Sequence, residues 1–265
     1  MRVSLRPDPR KGVFETMLVI GGRPIELDAH LERLAASLHA LYRAKLPADV
    51  GSTVIDRASS LEHGKLRLTA VPGTRGLLVE ISATEIERAK VFPSPERGIA
   101  LHSFVVEEGL GAHKWADRRL LEQATCKVPG GALPLLLDGD GAVLEASRGS
   151  LFAVASSFVA TPPTDGRILP SIARRQALEV AHEEGIEVRE QPLTLDDLRR
   201  RGEAFLVGSV RGVEPVRSLD GAKLAQPGQL SSLIAAGLRR RWLTVRQAEP
   251  VAAAAGGQRG DLHAR

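Results

Sequence analysis

The sequence predicts a mixed α/β fold of the α+β type, in which a small N-terminal domain is followed by a larger one. Three observations support this prediction. Short runs that alternate apolar and polar side chains indicate strands, whereas longer runs with an apolar residue every three or four positions indicate helices. A polar, glycine-containing stretch separates the two groups of elements. With 265 residues, of which 43% are hydrophobic, the chain is long enough to bury a sizeable core.

The small domain is predicted to cover residues 1–106. β-Branched and aromatic residues at 12–20, followed by a glycine pair, predict a strand that turns back as a hairpin. Asp28 stands ahead of an apolar stripe with helical spacing, and this pattern predicts an acidic N-cap and a helix that ends at about Arg43. Further strands are predicted at residues 65–70, 77–81 and 98–106.

Residues 107–112 are polar and rich in glycine, and they are predicted to link this domain to a larger one at 113–246. Residues 247–265 are rich in alanine and glycine without periodicity, which predicts a flexible tail. Within the larger domain the patterns predict a helix at 115–124, two strands within 133–146 joined at 138–141, a strand at 152–161, a helix at 172–184, an extended segment at 187–192, a short helix at 195–201 and a last strand at 204–207.

Composition excludes several classes of protein. Cys126 is the single cysteine, so an intramolecular disulfide, a thiolate metal cluster and a CxxC redox motif are all ruled out, and no metal is expected. No apolar run approaches the roughly 20 residues that a membrane-spanning helix needs. The N-terminal residues lack the apolar core of a secretory signal. We therefore expect a cytoplasmic protein with no membrane partner.

The formal charge of +4 reflects an excess of arginine over lysine. Two tight clusters, Arg199–Arg201 and Arg239–Arg241, fall in helix-like stretches, the other arginines are scattered, and only 3% of the residues are aromatic. This distribution favours solvated helix faces over a surface for nucleic acid, so no nucleic-acid partner is expected.

Three turns that carry glycine or serine stand at the ends of predicted strands, at residues 145–150, 169–174 and 208–212. The second of them opens a helix, where free backbone N–H groups and the helix dipole favour a phosphate. Taken alone, each turn is a weak signal, and an ordinary chain reversal that binds nothing is the simpler interpretation.

The combination of motifs is more specific than any one of them. In order along the chain they are Gly12–Met17 with Asp28–Leu34, His113–Arg118, Glu145 with Leu151-Phe152, Leu169–Arg174, and Gly208-Ser209 with Pro215-Val216. This series resembles the class IV aminotransferase family of fold-type IV pyridoxal-phosphate (PLP) enzymes over about residues 12–217. The resemblance implies PLP as cofactor, a small-molecule substrate, a homodimer, and a small α+β domain followed by a larger β-barrel-like domain with helices.

The resemblance also assigns roles to individual residues. Lys114 matches the Schiff-base lysine, which needs a depressed pKa so that a neutral amine exists near pH 7. Glu145 matches the carboxylate that pairs with the pyridine nitrogen. Arg33 matches the arginine that binds the cofactor phosphate. On the residues alone, each of the three is also compatible with an ordinary solvated charge.

The remaining cofactor contacts include two departures from the family. The backbone N–H groups of Ile172 and Ala173, with Gly208 and Ser209, match the phosphate cup, but Ala173 stands where the family has threonine and removes one hydroxyl contact. Ser150 stands where the family has asparagine, so its contact near the cofactor is open.

The turn at 208–212 bears on the reaction. Arg211 and Gly212 complete a Ser-x-Arg-Gly sequence that resembles 4-amino-4-deoxychorismate lyases, which eliminate pyruvate to form 4-aminobenzoate for folate biosynthesis. The alternative is a class IV aminotransferase that acts on branched-chain or D-amino acids with 2-oxoglutarate. A non-catalytic relative of the same fold is a third reading, disfavoured by the presence of Lys114 and Glu145. Under either enzymatic reading Arg211 can meet a substrate carboxylate.

Overall fold

The computed structural model describes residues 6–74 and 76–244, and it confirms the mixed α/β fold. Its strands form two curled sheets, one antiparallel with order β2-β1-β3-β4 and one with order β10-β9-β8-β11-β12-β5-β6-β7, to which β13 adds beside β12. The elements are β1 (Val13–Ile20), β2 (Arg23–Pro24), α1 (Leu27–Tyr42), α2 (Val50–Ala58), β3 (His63–Gly73), β4 (Gly76–Glu85), β5 (Ile99–Val105), α3 (Arg119–Lys127), β6 (Ala132–Leu137), β7 (Val143–Ala146), β8 (Ser150–Val154), β9 (Phe158–Thr161), α4 (Ile172–Glu183), β10 (Glu187–Glu190), α5 (Leu195–Arg201), β11 (Glu203–Gly208), β12 (Gly212–Leu219), β13 (Ala222–Lys223) and α6 (Gln229–Thr244).

Strand β1 is buried on both of its faces, which explains its nearly continuous apolar sequence. On one face Met17 packs against the core that α1 and α2 cover. On the other face Leu18 and Ile20 join a core shared with the second sheet. Because side chains alternate along a strand, Phe14 and Thr16 also point toward the second sheet and line the space between the two sheets.

The arginine cluster near the end of α6 pairs with acidic residues of α4 and with the residue that caps it, Glu184. Arg240 contacts Glu184 at 2.5 Å, and Arg241 contacts Glu183 at 2.6 Å and also Glu179. These exposed pairs agree with the interpretation of the cluster as a solvated helix face. Beneath them, the buried Trp242 donates a hydrogen bond from its indole nitrogen to Gln176 at 2.8 Å and fixes α6 on α4.

Several predicted boundaries are wrong for identifiable reasons. Helix α1 follows Glu26, which has a left-handed backbone (φ 56°), so Asp28 lies in the first turn and is not the N-cap. The helix predicted at 115–124 begins only at Arg119, because the backbone around Lys114 pairs with β1 instead. The strand predicted at 152–161 is divided by a bend into β8 and β9.

Elements α2, β12 and β13 were not predicted, and α6 was anticipated only as the helix-like stretch around Arg239–Arg241. Strand β12 contains Pro215 and begins at Gly212, two residue types that obscure a strand pattern, yet it is buried along most of its length. Helix α2 is short, and its apolar side is narrow: only Val50, Val54 and Ala58 are buried.

The strand at 98–106, placed with the small domain from its sequence, belongs to the second sheet. It forms β5, which runs parallel to both β6 and β12. The chain therefore crosses between the sheets at residues 86–98 and not at 107–112. Alternation predicts that a segment is a strand but does not say which strand it pairs with. The further division into domains stays a prediction, and the tail predicted at 247–265 lies outside the described residues.

Across residues 6–74 and 76–244, no helix has both the length and the apolar character to span a bilayer. A cytoplasmic location stays a prediction from the sequence.

Candidate active site

A cavity of about 280 Å³ lies between the two sheets. Its lining includes seven of the nine residues that the sequence predicted for the site, namely Arg33, Lys114, Glu145, Ser150, Gly208, Ser209 and Arg211. The other two, Ile172 and Ala173, are buried at the start of α4 and do not line the cavity. The residue before them, Ser171, does line it. The structure thus gathers residues that are spread over most of the sequence.

Lys114 is held in an extended segment against β1. Its backbone carbonyl accepts a hydrogen bond from Phe14 N–H at 2.8 Å, and Ala116 N–H donates to the carbonyl of Gly12 at 3.0 Å. The Lys114 amine lies 4.9 Å from the centre of the Phe14 ring. Burial lowers the pKa of this amine to about 8, against the opposing effect of Glu15. Roughly a tenth of it is then neutral at pH 7, compared with a far smaller fraction of an ordinary lysine.

Glu145 stands at the end of β7 on the opposite wall. Its carboxylate accepts a hydrogen bond from the backbone N–H of Leu169 at 3.3 Å. Burial raises the pKa of Glu145 to about 7, while the Leu169 N–H and the cationic Lys114 act in the other direction. A carboxyl group with a pKa near 7 can share a proton with a ring nitrogen, as the predicted contact with the pyridine requires.

Arg33 is fixed by a carboxylate whose role the sequence did not reveal. Its Nε and Nη2 donate to the two oxygens of Glu15 at 2.8 and 2.6 Å, and its Nη1 donates to the carbonyl of Pro170 at 2.8 Å. Of the five N–H groups of a guanidinium, two are then left for another acceptor. The contact with Pro170 places them beside the start of α4.

Glu15 and His30 are each only 1% exposed. The Glu15 carboxylate also contacts His30 Nδ1 at 2.7 Å. Burial opposes ionisation of Glu15, but the hydrogen bonds from His30 and Arg33 hold its pKa down at about 2. The sequence does contain a signal of this pairing, since Glu15 stands within the apolar strand β1. A buried charge needs a partner, so such a glutamate indicates a buried cation or donor nearby.

The start of α4 has the geometry of an anion site. Ser171 is its N-cap, and its hydroxyl accepts a hydrogen bond from Arg174 N–H at 3.2 Å. The N–H groups of Ile172 and Ala173 lie within the first turn, where a helix offers no carbonyl partner. The turn after β11 presents Ser209 to the same cavity.

Ser150 supplies an independent test of whether a ligand fits. It is 3% exposed, and its hydroxyl has no hydrogen-bond partner among the described residues. A buried hydroxyl without a partner is costly, so its presence in the wall of a cavity indicates a polar partner that completes the site. Together with the donors around Arg33 and α4, this donor set fits a phosphate-bearing, polar ring such as PLP.

Two further arginines, Arg67 and Arg118, line the cavity near Phe14, and the sequence analysis assigned neither of them a role. The Arg67 guanidinium lies 3.8 Å from the centre of the Phe14 ring, and among the described residues it forms no ion pair with a carboxylate. Arg118 donates to the carbonyl of Ser147 at 2.9 Å and lies 5.7 Å from the same ring centre. Arg67 alternates along β3 with the buried Leu66 and Leu68, which explains why it faces the cavity.

The fold and the residues gathered at this cavity agree with an enzyme that depends on PLP. The family model of class IV aminotransferases matches residues 12–219. The chain therefore belongs to that family, whose members depend on PLP.

Three proteins illustrate what the chain is similar to in sequence or in fold. A candidate branched-chain-amino-acid aminotransferase of Methanocaldococcus jannaschii is 36% identical over 233 residues, which cover 79% of each chain. A hypothetical aminotransferase of Mycobacterium tuberculosis in its PLP-bound form superposes with a TM-score of 0.77 at 22% identity, over 93% of this chain and 95% of that one. The 4-amino-4-deoxychorismate lyase of Pseudomonas aeruginosa superposes with a TM-score of 0.74 at 23% identity, over 91% and 95%.

Proposed function

We propose that the protein is a PLP-dependent 4-amino-4-deoxychorismate lyase, which eliminates pyruvate and forms 4-aminobenzoate. The observation that carries this proposal is the charge of the cavity. Among the described residues, six basic and three acidic side chains line it. Arg33 and the cup account for a phosphate, which leaves arginines on two walls for further anions. Aminodeoxychorismate carries two carboxylates, whereas the amino donors leucine and D-alanine each carry one, and 2-oxoglutarate brings two only in the second half-reaction.

The turn that bears Arg211 supports the same choice. The Ser-x-Arg-Gly sequence resembles lyases of this family, and Arg211 lines the cavity beside Ser209. An arginine there can bind a carboxylate by two parallel hydrogen bonds.

The residues of the chain have distinct tasks in this reaction. PLP, when bound, supplies an electron sink for the charge left after a proton is removed. Lys114 anchors the cofactor and, as a neutral amine, takes the proton from C4 of the substrate ring. Glu145 holds a proton at the pyridine nitrogen, and Arg33 with the first turn of α4 binds the phosphate. The ring C–O bond breaks, the ring becomes aromatic, and the departing enolpyruvyl group takes up a proton to become pyruvate, so no second substrate is required.

An aminotransferase is the second candidate, and the sequence relative from Methanocaldococcus jannaschii favours it. In that reaction Lys114 moves a proton from the Cα of an amino acid, and a keto acid such as 2-oxoglutarate takes up the amino group in a second half-reaction. The same residues would hold the cofactor.

The deciding experiment offers aminodeoxychorismate to the PLP-loaded protein without any keto acid. The lyase proposal expects 4-aminobenzoate and pyruvate in equal amounts. Absence of both products, together with amino transfer from leucine or D-alanine to 2-oxoglutarate, would assign the protein to the aminotransferases instead.

The resemblance to the family further supports a homodimer, with each site lined in part by the small domain of the partner. Mass measurement of the holoprotein in solution tests this: a dimer is expected, and a monomer with full activity would contradict it.

A further inference from the structure

Two tight turns bring a pair of arginines to one wall of the cavity. Arg148 lies in the turn between β7 and β8, where Ala146 and Gly149 exchange backbone hydrogen bonds of 3.0 and 3.3 Å. Arg211 lies in the turn between β11 and β12. Both side chains line the cavity and keep about a third of their surface exposed, 34% for Arg148 and 36% for Arg211.

A buried carboxylate lies between the two arginines. Glu214 projects from β12 with only 7% of its side chain exposed. Its Oε1 accepts a hydrogen bond from Arg148 Nη2 at 2.7 Å and lies 3.6 Å from Arg211 Nη1. Burial lowers the pKa of Arg148, Glu214 opposes this effect, and the nearby Arg211 adds to it. The two guanidinium groups are therefore close enough to repel each other.

The charges of these three residues do not balance. Two guanidinium groups share one carboxylate, so the group carries one excess positive charge that faces the cavity. The Arg211 side chain donates no hydrogen bond to another of the described residues within the usual distance, and its N–H groups are free for a ligand. One carboxylate from a ligand would cancel the excess charge and accept from both arginines.

We propose that Arg148, Arg211 and Glu214 form one recognition site for a single carboxylate of the substrate. Arg148 and Arg211 contact the carboxylate, and Glu214 is a positioning residue that holds both guanidinium groups close to its Oε1. The identity of the substrate rests on the proposed lyase function, but the requirement for a carboxylate does not.

The experiment compares two ligands of equal shape on the PLP-loaded protein. 4-Aminobenzoate carries a carboxylate, and 4-aminobenzamide replaces it with a neutral amide. Calorimetry gives Kd for each, and the ratio of the two Kd values measures carboxylate recognition. The wild-type protein is expected to prefer 4-aminobenzoate. Arg148→Gln and Arg211→Gln should each reduce that preference by about tenfold, the size expected for a charged hydrogen bond.

The double variant shows whether one carboxylate is shared. If both arginines bind the same group, the loss in Arg148→Gln/Arg211→Gln is smaller than the product of the two single losses. Independent losses that multiply would overturn the shared site. Arg240→Gln is the matched control, because Arg240 is exposed on α6 and pairs with Glu184 away from the cavity.

Glu214→Gln separates positioning from charge. This change makes the cavity more positive, so an effect of charge alone would raise the preference for the carboxylate. If Glu214 instead positions the two arginines, the preference for the carboxylate should fall by about tenfold, because Arg148 and Arg211 lose the partner that they share. PLP affinity, read from visible absorbance, should change less than twofold, which excludes general damage to the fold.

The binding experiment and the turnover experiment test the carboxylate site and the lyase function separately. A wild-type protein that binds both ligands equally, or neither, overturns the carboxylate site. Carboxylate-dependent binding without formation of 4-aminobenzoate from aminodeoxychorismate supports the site and contradicts the lyase function.

Discussion

The carboxylate of Glu15 holds the guanidinium of Arg33 through two hydrogen bonds of 2.8 and 2.6 Å, across the boundary between strand β1 and helix α1. This paired geometry aims the remaining N–H groups of Arg33 at the start of α4. A phosphate there meets a guanidinium whose orientation is already fixed, so little side-chain freedom is lost when it binds.

Replacement of Glu15 should therefore weaken cofactor binding although Glu15 itself does not line the cavity. In Glu15→Gln, Arg33 loses its charged partner, and we expect PLP to bind about tenfold more weakly. Titration of the apoprotein with PLP, followed by visible absorbance, measures this. Glu26→Gln is the control, because Glu26 pairs with the exposed Arg175 at 3.3 Å outside the cavity. Equal affinity in wild type and Glu15→Gln would show that Arg33 needs no support.

The same pair makes the apoprotein sensitive to acid. Hydrogen bonds from His30 and Arg33 hold the pKa of Glu15 at about 2, below its ordinary value of 4.5. A carboxyl with a depressed pKa stabilises the fold fully above about pH 4.5, and this contribution is lost as the pH falls toward 2. Burial also lowers the pKa of His30, so acidification below its ordinary value of 6.5 already favours the unfolded chain.

Denaturant unfolding at a series of pH values tests this expectation. The free energy of unfolding of the wild-type apoprotein should decline between pH 4.5 and 2, whereas between pH 6.5 and 4.5 the raised pKa of Glu145 acts against the effect of His30. Glu15→Gln should show a smaller decline between pH 4.5 and 2. A variant whose stability depends on pH in the same way as the wild type would place the acid sensitivity elsewhere.

Lys114 is expected to be necessary for activity and costly for stability. Lys114→Met should abolish turnover and the yellow colour of lysine-bound PLP, since no amine remains to anchor the cofactor. Borohydride treatment of the wild-type holoprotein, followed by peptide mass analysis, should place the cofactor on the peptide that contains Lys114. Label on another lysine would identify a different anchor.

The stability of the same variant should rise. Burial lowers the pKa of Lys114 to about 8, from an ordinary value of 10.5, so the buried charge opposes folding at every pH below that range. Removing it should stabilise the apoprotein at pH 7 by up to about 3 kcal/mol. A melting temperature of apo Lys114→Met below that of the wild type would contradict this.

Ser150→Ala should move stability and cofactor affinity in opposite directions. The hydroxyl of Ser150 is buried without a partner, so its removal should stabilise the apoprotein by about 1 kcal/mol. If the hydroxyl instead serves the bound cofactor, PLP affinity should fall severalfold. Thermal unfolding of the apoprotein measures the change in stability, and PLP titration measures the change in affinity. A fall in both stability and affinity would show that the Ser150 hydroxyl already supports the fold of the apoprotein.

Arg67 is expected to act on the substrate and not on the cofactor. Its guanidinium packs over Phe14 without a carboxylate of the described chain nearby, so it can receive an anion from the cavity. Arg67→Gln should raise KM for aminodeoxychorismate about tenfold and leave PLP affinity unchanged. Lys65→Gln, two residues away on the same strand and exposed, is the control. A change in PLP affinity alone would move Arg67 to the cofactor site.

The sequence predicted those site residues that stand in local motifs. Lys114, Arg33 and Glu145 were identified because each stands at a fixed place in a short pattern, and all three line the cavity. Glu15 and Glu214 were not, because their importance depends on partners far away in sequence. A single glutamate in an apolar strand indicates that some partner exists, but not which residue it is.

The same distinction applies to the fold. Periodicity found most strands and helices, since it reports which face of a segment is buried. It assigned β5 to the wrong sheet, because the pairing of a parallel strand is set by distant residues such as Leu133 and Val216. The start of α3 was misplaced for a related reason: the segment around Lys114 has helical composition but takes its hydrogen bonds from β1.

The hydrogen bond between Phe14 and the carbonyl of Lys114 joins residues about 100 positions apart. We expect the lysine to reach its native position only after β1 has joined the first sheet. Contacts between residues so far apart in sequence form late, because the entropy cost of closing a large loop precedes the free energy that the contact contributes. During refolding in the presence of PLP, the appearance of colour should thus mark the end of folding, after the bulk of the secondary structure has formed.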